Sequence, residues 1–288
     1  MKKLNILCLG CGDLATGLMT ELVRLNIPFT SSGLRRSQGH MPGFDQIVNA
    51  DLLKPAQLLQ ALSSMAEPDI IVYTATPGDQ SYKDVYYQAP LNMLNVIEQL
   101  GWQSHWLHVS STGVFGHTHG EWVHEDTQPC PQSQRSKTLY ASEQLIQSYK
   151  KSVIIRFGGI YGEGRDYLTR RLASSTNTKP VQRTPAQYSN RIHRRDAVRA
   201  LAFLVNKIHH NTLQWNLYHG VDAAPVALAD VAQYITACRG YPEPSWQDQA
   251  QLNQQNKRVG HRRLLQEGFS WLFPTYKCGY DNMLTNKP

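Results

Sequence analysis

Apolar residues change their spacing several times along the chain, and each change marks an element. Leu4 to Leu9 is a short apolar run that ends in glycines, which predicts a buried strand. Leu14, Leu18, Leu22 and Leu25 then recur at helical spacing and stop near Asn26-Ile27-Pro28, predicting a helix. Phe29 to Ser32 and Gln46 to Ala50 read as the second and third strands, and Gln57 to Met65 as a helix that stops before Pro68. Asp69 to Tyr73 is a fourth strand, rich in β-branched residues. Tyr87 to Leu100 predicts a long helix with Leu91, Leu94 and Ile97 on one side. A strand at Trp106 to Val109, a helix at Ser136 to Tyr149 and a strand at Val153 to Phe157 follow.

This alternation predicts an α/β fold, a doubly wound parallel Rossmann sheet with helices on both faces. Beyond Gly159 the rhythm breaks. Residues Gly162 to Asn190 are rich in Arg, Ser, Thr and Pro, and then come a helix at Asp196 to Ile208, a strand at Trp215 to Tyr218, a helix at Asp230 to Cys238 and a loop-rich tail. Asp196 reads as the N-cap of its helix. The expected division is a Rossmann domain of residues 1–161 with about 191–219, and a smaller C-terminal substrate-binding lobe of about 162–190 with 220–288.

Composition narrows the function classes. At 288 residues, with 41% hydrophobic and 18% charged, the chain reads as globular, and no apolar run is long enough to cross a bilayer. Its N-terminus imitates a secretory signal for a few residues and then runs into glycines, so a cytoplasmic protein is expected. The 5 cysteines are odd in number and scattered, which argues against a disulfide framework. Cys8 and Cys11 form a CxxC, but it overlaps a glycine-rich turn. A net charge of +7 comes without a recognisable nucleic-acid module, so nucleic acid is not an expected partner. The basic cluster Lys257 to Arg263 reads as a solvated face, or as a mild attraction for phosphorylated ligands. His117, His119, His124 and Asp126 lack the rigid helical pairing of metal sites, and no metal is expected.

The most informative stretch is ILCLGCGDLATGL, where Gly10, Gly12 and Ala15 fill a G-x-G-x-x-(G/A) fingerprint. The first glycine permits a tight turn and the second lets backbone approach a pyrophosphate. A small third residue packs the helix close to the strand, so that Cys11, Asp13 and Leu14 complete a cofactor cradle at the helix N-terminus. The second strand leads into Arg35-Arg36 instead of an acidic residue, which biases the expected cofactor to NADP over NAD; the alternative is two solvated loop arginines. Asp51, followed by Leu52, either contacts the adenine edge or caps the next turn.

Four motifs in order then resemble the extended short-chain dehydrogenases/reductases. HVSSTGVFG (His108 to Gly116) is similar to that family's fifth-strand motif, and VIIRFGGIYGEGR (Val153 to Arg165) to its region beside the nicotinamide. VYTATP, which contains Ala75 and Thr76, sits where the family places its loop under the cofactor, and RIHRRDAVRA (Arg191 to Ala200) resembles the segment closing the substrate side. The subgroup resembled is the atypical NAD-dependent epimerase/dehydratase-like, or YeeZ-like, one. The resemblance implies catalysis by a Ser, matched by Ser111, with a Tyr-x-x-x-Lys pair that this sequence lacks. Aligned through Glu143, those two positions hold Arg135 and Leu139; aligned through Lys137, the tyrosine becomes Ser133. Tyr140 is one helical position away, and either it is the expected substitute or Arg135 or Lys137 acts electrostatically beside Ser111; alternatively Ser111 is structural. Tyr161, Arg165 and His193 are expected to line the pocket of a small polar substrate. The resemblance implies an oxidoreductase or epimerase, and a homodimer by analogy. A non-catalytic NADP-binding redox sensor is the alternative.

Overall fold

The computed structural model describes residues 3–37, 39–174, 180–248 and 255–285. The chain divides into two compact units. The first holds Met1–Val114, Pro131–Arg156 and Val198–Leu217, and the second holds Phe115–Cys130, Phe157–Ala197 and Tyr218–Pro288. Among the described residues no helix is long and apolar enough to cross a membrane.

Seven strands form the central sheet: β1 (Leu4–Leu9), β2 (Phe29–Arg35), β3 (Gln46–Asn49), β4 (Ile70–Tyr73), β5 (His105–Ser111), β6 (Ser152–Phe157) and β7 (Leu217–Gly220). Their order is β7-β6-β5-β4-β1-β2-β3. The pairs β1–β2, β1–β4, β2–β3 and β4–β5 are parallel. The winding therefore reverses at β1, the switch point where open α/β sheets bind ligands beyond the strands' carboxyl ends. The strands lack polar alternation because both faces are buried. On one, Leu7, Leu9, Ile71, Tyr73, Trp106 and Ile154 pack with helix residues such as Leu58, Met93 and Ile97, and on the other Ile6, Cys8, Ile70 and Val72 are equally buried.

Helices α1 (Asp13–Arg24), α2 (Pro55–Leu62), α3 (Ala89–Leu100) and α4 (Gln134–Gln147) follow β1, β3, β4 and β5. Leu14, Leu18 and Leu22 are buried on α1, whereas Leu25, expected on the same face, stands beyond its end and is 42% exposed. The buried face of α3 also differs from expectation. It carries Met93, Val96 and Ile97, while Leu91 and Leu94 are only half-buried. A π turn at Asp84–Gln88 precedes this helix. Each such turn takes one residue more than an α turn and rotates the helix beyond it, a shift that periodicity alone does not register.

In the second unit, short parallel pairs join segments far apart in sequence: Gly159–Tyr161 with Arg191–His193, and Glu121–Val123 with Lys257–Val259. Its core gathers Leu172, Val231, Ala232 and Ile235 around Tyr161 and Tyr280. The next long helix, Arg194–His209, starts two residues before Asp196, so Asp196 is not its N-cap. Its buried carboxylate instead accepts the amides of Leu272 and Phe273 at 2.8 and 2.7 Å.

Candidate functional site

From β1 the chain turns through Gly10, Cys11 and Gly12 into α1. Gly10 has φ +93°, and a Cβ there would lie 2.6 Å from the Cα of Ala75, so only glycine passes. The turn is held from both sides. Gly10 N–H donates to Leu34 O at 3.2 Å, and Thr74 donates its hydroxyl to Gly10 O at 2.7 Å. Gly12 is different, because a Cβ there would meet nothing within 4 Å. It is the N-cap of α1 and offers no side chain to that helix's first turn. Open backbone at a helix N-terminus is a cradle for phosphate, and a Cβ would fill it. Asp13 and Leu14 begin α1, with Leu14 and Ala15 buried behind the turn.

Cys11 is buried, with its thiol aimed at Leu34 O. Burial pushes that thiol up to about 11 and raises Cys8 as well, so neither is a ready thiolate. Among the described residues no group of three or more His, Cys, Asp or Glu side chains is placed to hold a metal.

At the end of β2, Arg35 is half-buried and Arg36 exposed. Arg36 binds Asp79 through both nitrogens, Nη1 to Oδ2 at 3.1 Å and Nη2 to Oδ1 at 2.5 Å. Hydrogen bonding from Arg36 holds the Asp79 carboxyl below the usual range. The Asp51 carboxylate accepts the Leu53 amide at 3.0 Å, a local turn bond ahead of α2. Leu52 accepts the Asn92 amide side chain at 2.9 Å, and Thr76 is exposed just past Ala75.

Ser111 closes β5, and its hydroxyl oxygen accepts Gly113 N–H at 3.1 Å, which leaves the hydroxyl proton to donate elsewhere. On α4, Arg135 places its guanidinium 5.5 Å from the centre of the Tyr82 ring, and Tyr82 lies 4.4 Å from Tyr86. Burial pushes the Tyr82 phenol up to about 12, with Tyr86 adding and Arg135 opposing. Tyr140 is half-buried further along α4, Leu139 is buried and Lys137 is exposed.

In the second unit, Tyr161 and His193 meet edge to face with ring centres 5.3 Å apart. The Tyr161 hydroxyl is buried without a hydrogen-bond partner among the described residues, while His193 Nε2 lies 3.8 Å from the Glu163 carboxylate. Arg191 lies over both the Tyr161 and Tyr280 rings and donates to the Tyr280 hydroxyl at 2.9 Å. Arg165 closes a tight turn through its amide on Gly162 O at 2.9 Å. A buried polar atom left unpaired is unfavourable by roughly 1–3 kcal/mol, which is the cost the Tyr161 hydroxyl carries beside Gly279.

Over residues 4–285 the sequence matches the family described as the RmlD substrate binding domain. The chain belongs to this family. A structure described as an NAD-dependent epimerase/dehydratase from Methylobacillus flagellatus is 30% identical, with 99% of this chain and 98% of that one covered and a TM-score of 0.79. The dTDP-glucose 4,6-dehydratase of Bacillus anthracis, solved with NAD, is 13% identical over 98% and 96% of the chains, with a TM-score of 0.77. UDP-glucose 4-epimerase of Thermotoga maritima, solved with UDP-glucose, is 12% identical over 98% of each chain, with a TM-score of 0.75. At those identities the last two share the fold. No curated protein sequence matches the chain.

Two positions in this RmlD-family chain escaped the motifs. A Cβ on Gly17 would sit 2.6 Å from Val198, so this glycine sets how closely α1 approaches the Arg194–His209 helix. A glycine inside an otherwise amphipathic helix was the available signal. Tyr82 had none, because its pairing with Arg135 joins residues 53 apart.

Proposed function

We propose that the chain is an NADP-preferring enzyme of the epimerase/dehydratase type, acting on a small polar substrate of the nucleotide-sugar class without a Tyr-x-x-x-Lys pair. The observation that carries this reading is the contrast within one turn: Gly10 is closed by Ala75, while Gly12 is open at the N-terminus of α1. The NAD of the Bacillus anthracis enzyme and the UDP-glucose of the Thermotoga maritima enzyme support a nicotinamide dinucleotide and a nucleotide sugar as ligands, while the preference for NADP rests on Arg35 and Arg36.

Bound NADP would supply a hydride acceptor. Backbone at Gly12 and the first turn of α1 would hold the pyrophosphate, and Arg35 would hold the 2′-phosphate. Arg36 joins it by leaving Asp79, because an exposed ion pair contributes only about 0–1 kcal/mol. Ser111 donates its hydroxyl to a substrate oxygen. Tyr82 takes the role of the missing tyrosine as a proton donor: it is the phenol set against the Arg135 cation, and burial keeps it protonated while Arg135 opposes that shift.

The test is calorimetric titration with NADP⁺, NADPH, NAD⁺ and NADH, followed by incubation with UDP-glucose and dTDP-glucose while epimerised and dehydrated products are followed by chromatography, because the cofactor is reduced and reoxidised within one turnover. No association with any dinucleotide at millimolar concentration would end the proposal. The absent Tyr-x-x-x-Lys favours a second reading, an NADP-binding redox sensor. Tight binding without conversion of these or other nucleotide sugars would select it.

A further inference from the structure

The second unit contains a nucleophilic cluster that the proposed reaction does not use. Cys130 Sγ lies 3.3 Å from His117 Nδ1 and 4.0 Å from its Nε2, and both residues are half-buried. Lys257 is 6% exposed and donates its ammonium to Phe115 O at 2.9 Å and to Gln255 Oε1 at 3.0 Å. It faces Cys130 electrostatically. Burial brings the Lys257 ammonium down to about 8, so it still carries its charge at pH 6. On the paired strand, the Glu121 carboxylate faces His117 and His119.

The other four cysteines provide a contrast. Cys8 and Cys11 are buried; Cys238 and Cys278 are exposed, beside the hydroxyls of Tyr234 and Thr275. Among the described residues, Cys130 is the cysteine with an imidazole within hydrogen-bonding distance. A thiol so placed can pass its proton to the ring, and a fixed ammonium favours the resulting thiolate.

We propose that Cys130 and His117 form a thiolate–imidazolium pair that serves as a modification site for hydroperoxides. The Cys130 sulfur attacks one peroxide oxygen, so an S–O bond forms as the O–O bond breaks. The leaving hydroxide, or alkoxide from an organic hydroperoxide, takes the proton held by His117 and departs as water or alcohol. Sulfur is oxidised by two electrons to the sulfenic acid and the peroxide is reduced, with Lys257 remaining a fixed cation.

The exposed cysteines are internal controls. The intact chain is treated with iodoacetamide from pH 5 to 9, and separately with hydrogen peroxide in the presence of dimedone, and each cysteine is quantified by peptide mass spectrometry. Alkylation of Cys130 is expected to be about tenfold faster than that of Cys238 and Cys278 at pH 6. Dimedone is expected to label Cys130 first. His117→Asn should move the profile up to that of the exposed pair, and Lys257→Met part of the way. Equal rates for the three cysteines at pH 6 overturn the proposal in the wild-type chain alone, whatever the folding of the variants. An unchanged profile in folded His117→Asn overturns it too. Dinucleotide affinity is read separately, so failure here leaves the proposed function standing.

Discussion

Arg156 grips the carboxylate of Glu143 inside the first unit, with Nη2 2.7 Å from Oε2 and Nε 2.9 Å from Oε1, and Ser110 donates its hydroxyl to the same carboxylate at 2.5 Å. Both side chains are almost fully buried. The contact ties α4 to β5 and β6 and fixes which residues of α4 face the end of β5. Breaking a buried pair strands its partner's charge, so Glu143→Ala is expected to lower stability by about 3–5 kcal/mol. Urea unfolding measures it, and a loss below about 1 kcal/mol would show that the helix is held by something else.

Gly10 and Gly12 should respond differently to the same change. Gly10→Ala meets the Ala75 backbone at a positive φ and is expected to destabilise the fold by about 1–3 kcal/mol. Gly12→Ala has open space and should stay within about 1 kcal/mol of wild type. It is nevertheless expected to weaken dinucleotide binding at least tenfold. Thermal unfolding combined with calorimetry separates the two; undiminished affinity in Gly12→Ala argues against the cradle.

Replacing Arg35 and Arg36 together by alanine is expected to weaken NADP binding roughly ten- to hundredfold, the range of charge-assisted hydrogen bonds, while NAD changes little. Equal losses for both cofactors would remove the 2′-phosphate assignment.

Once a turnover assay exists, Tyr82→Phe is expected to reduce kcat by about 10²-fold or more with dinucleotide affinity unchanged. Tyr140→Phe should have a minor effect. Arg135→Gln should shift the pH–rate profile upward, because the cation that draws the phenol down is gone. A large loss confined to Tyr140→Phe would transfer the role to that residue.

Burial pushes the Asp222 carboxyl up to about 7, against the pull of Arg191. An acid whose folded value is raised keeps its proton in the native state after the unfolded chain has released one. Stability contributed by this group is therefore full below about pH 4 and falls as pH rises towards 7. Asp222→Asn should show a flatter stability profile between pH 4 and 7. A parallel profile in the variant would assign the titration to another group.

Much of the first unit could be read from spacing, since buried parallel strands are apolar throughout and surface helices repeat every three to four residues. The glycine turn was legible because a tight strand-to-helix passage admits few residues. Tyr82 beside Arg135, Cys130 beside His117 and the joining of Phe115–Cys130 to the second unit could not be read this way. Each depends on segments brought together after folding, and no local propensity encodes their distance.

The amino-acid order by itself determined the strand–helix alternation, the Gly10–Ala15 turn and the arginines after β2, because these follow from local sterics and periodicity. Tertiary structure alone decided that Gly10 is closed while Gly12 is open, that Arg36 is held by Asp79, and that a phenol meets Arg135 across 53 residues. Those outcomes depend on how strands and helices stack, which is set by packing of the whole core.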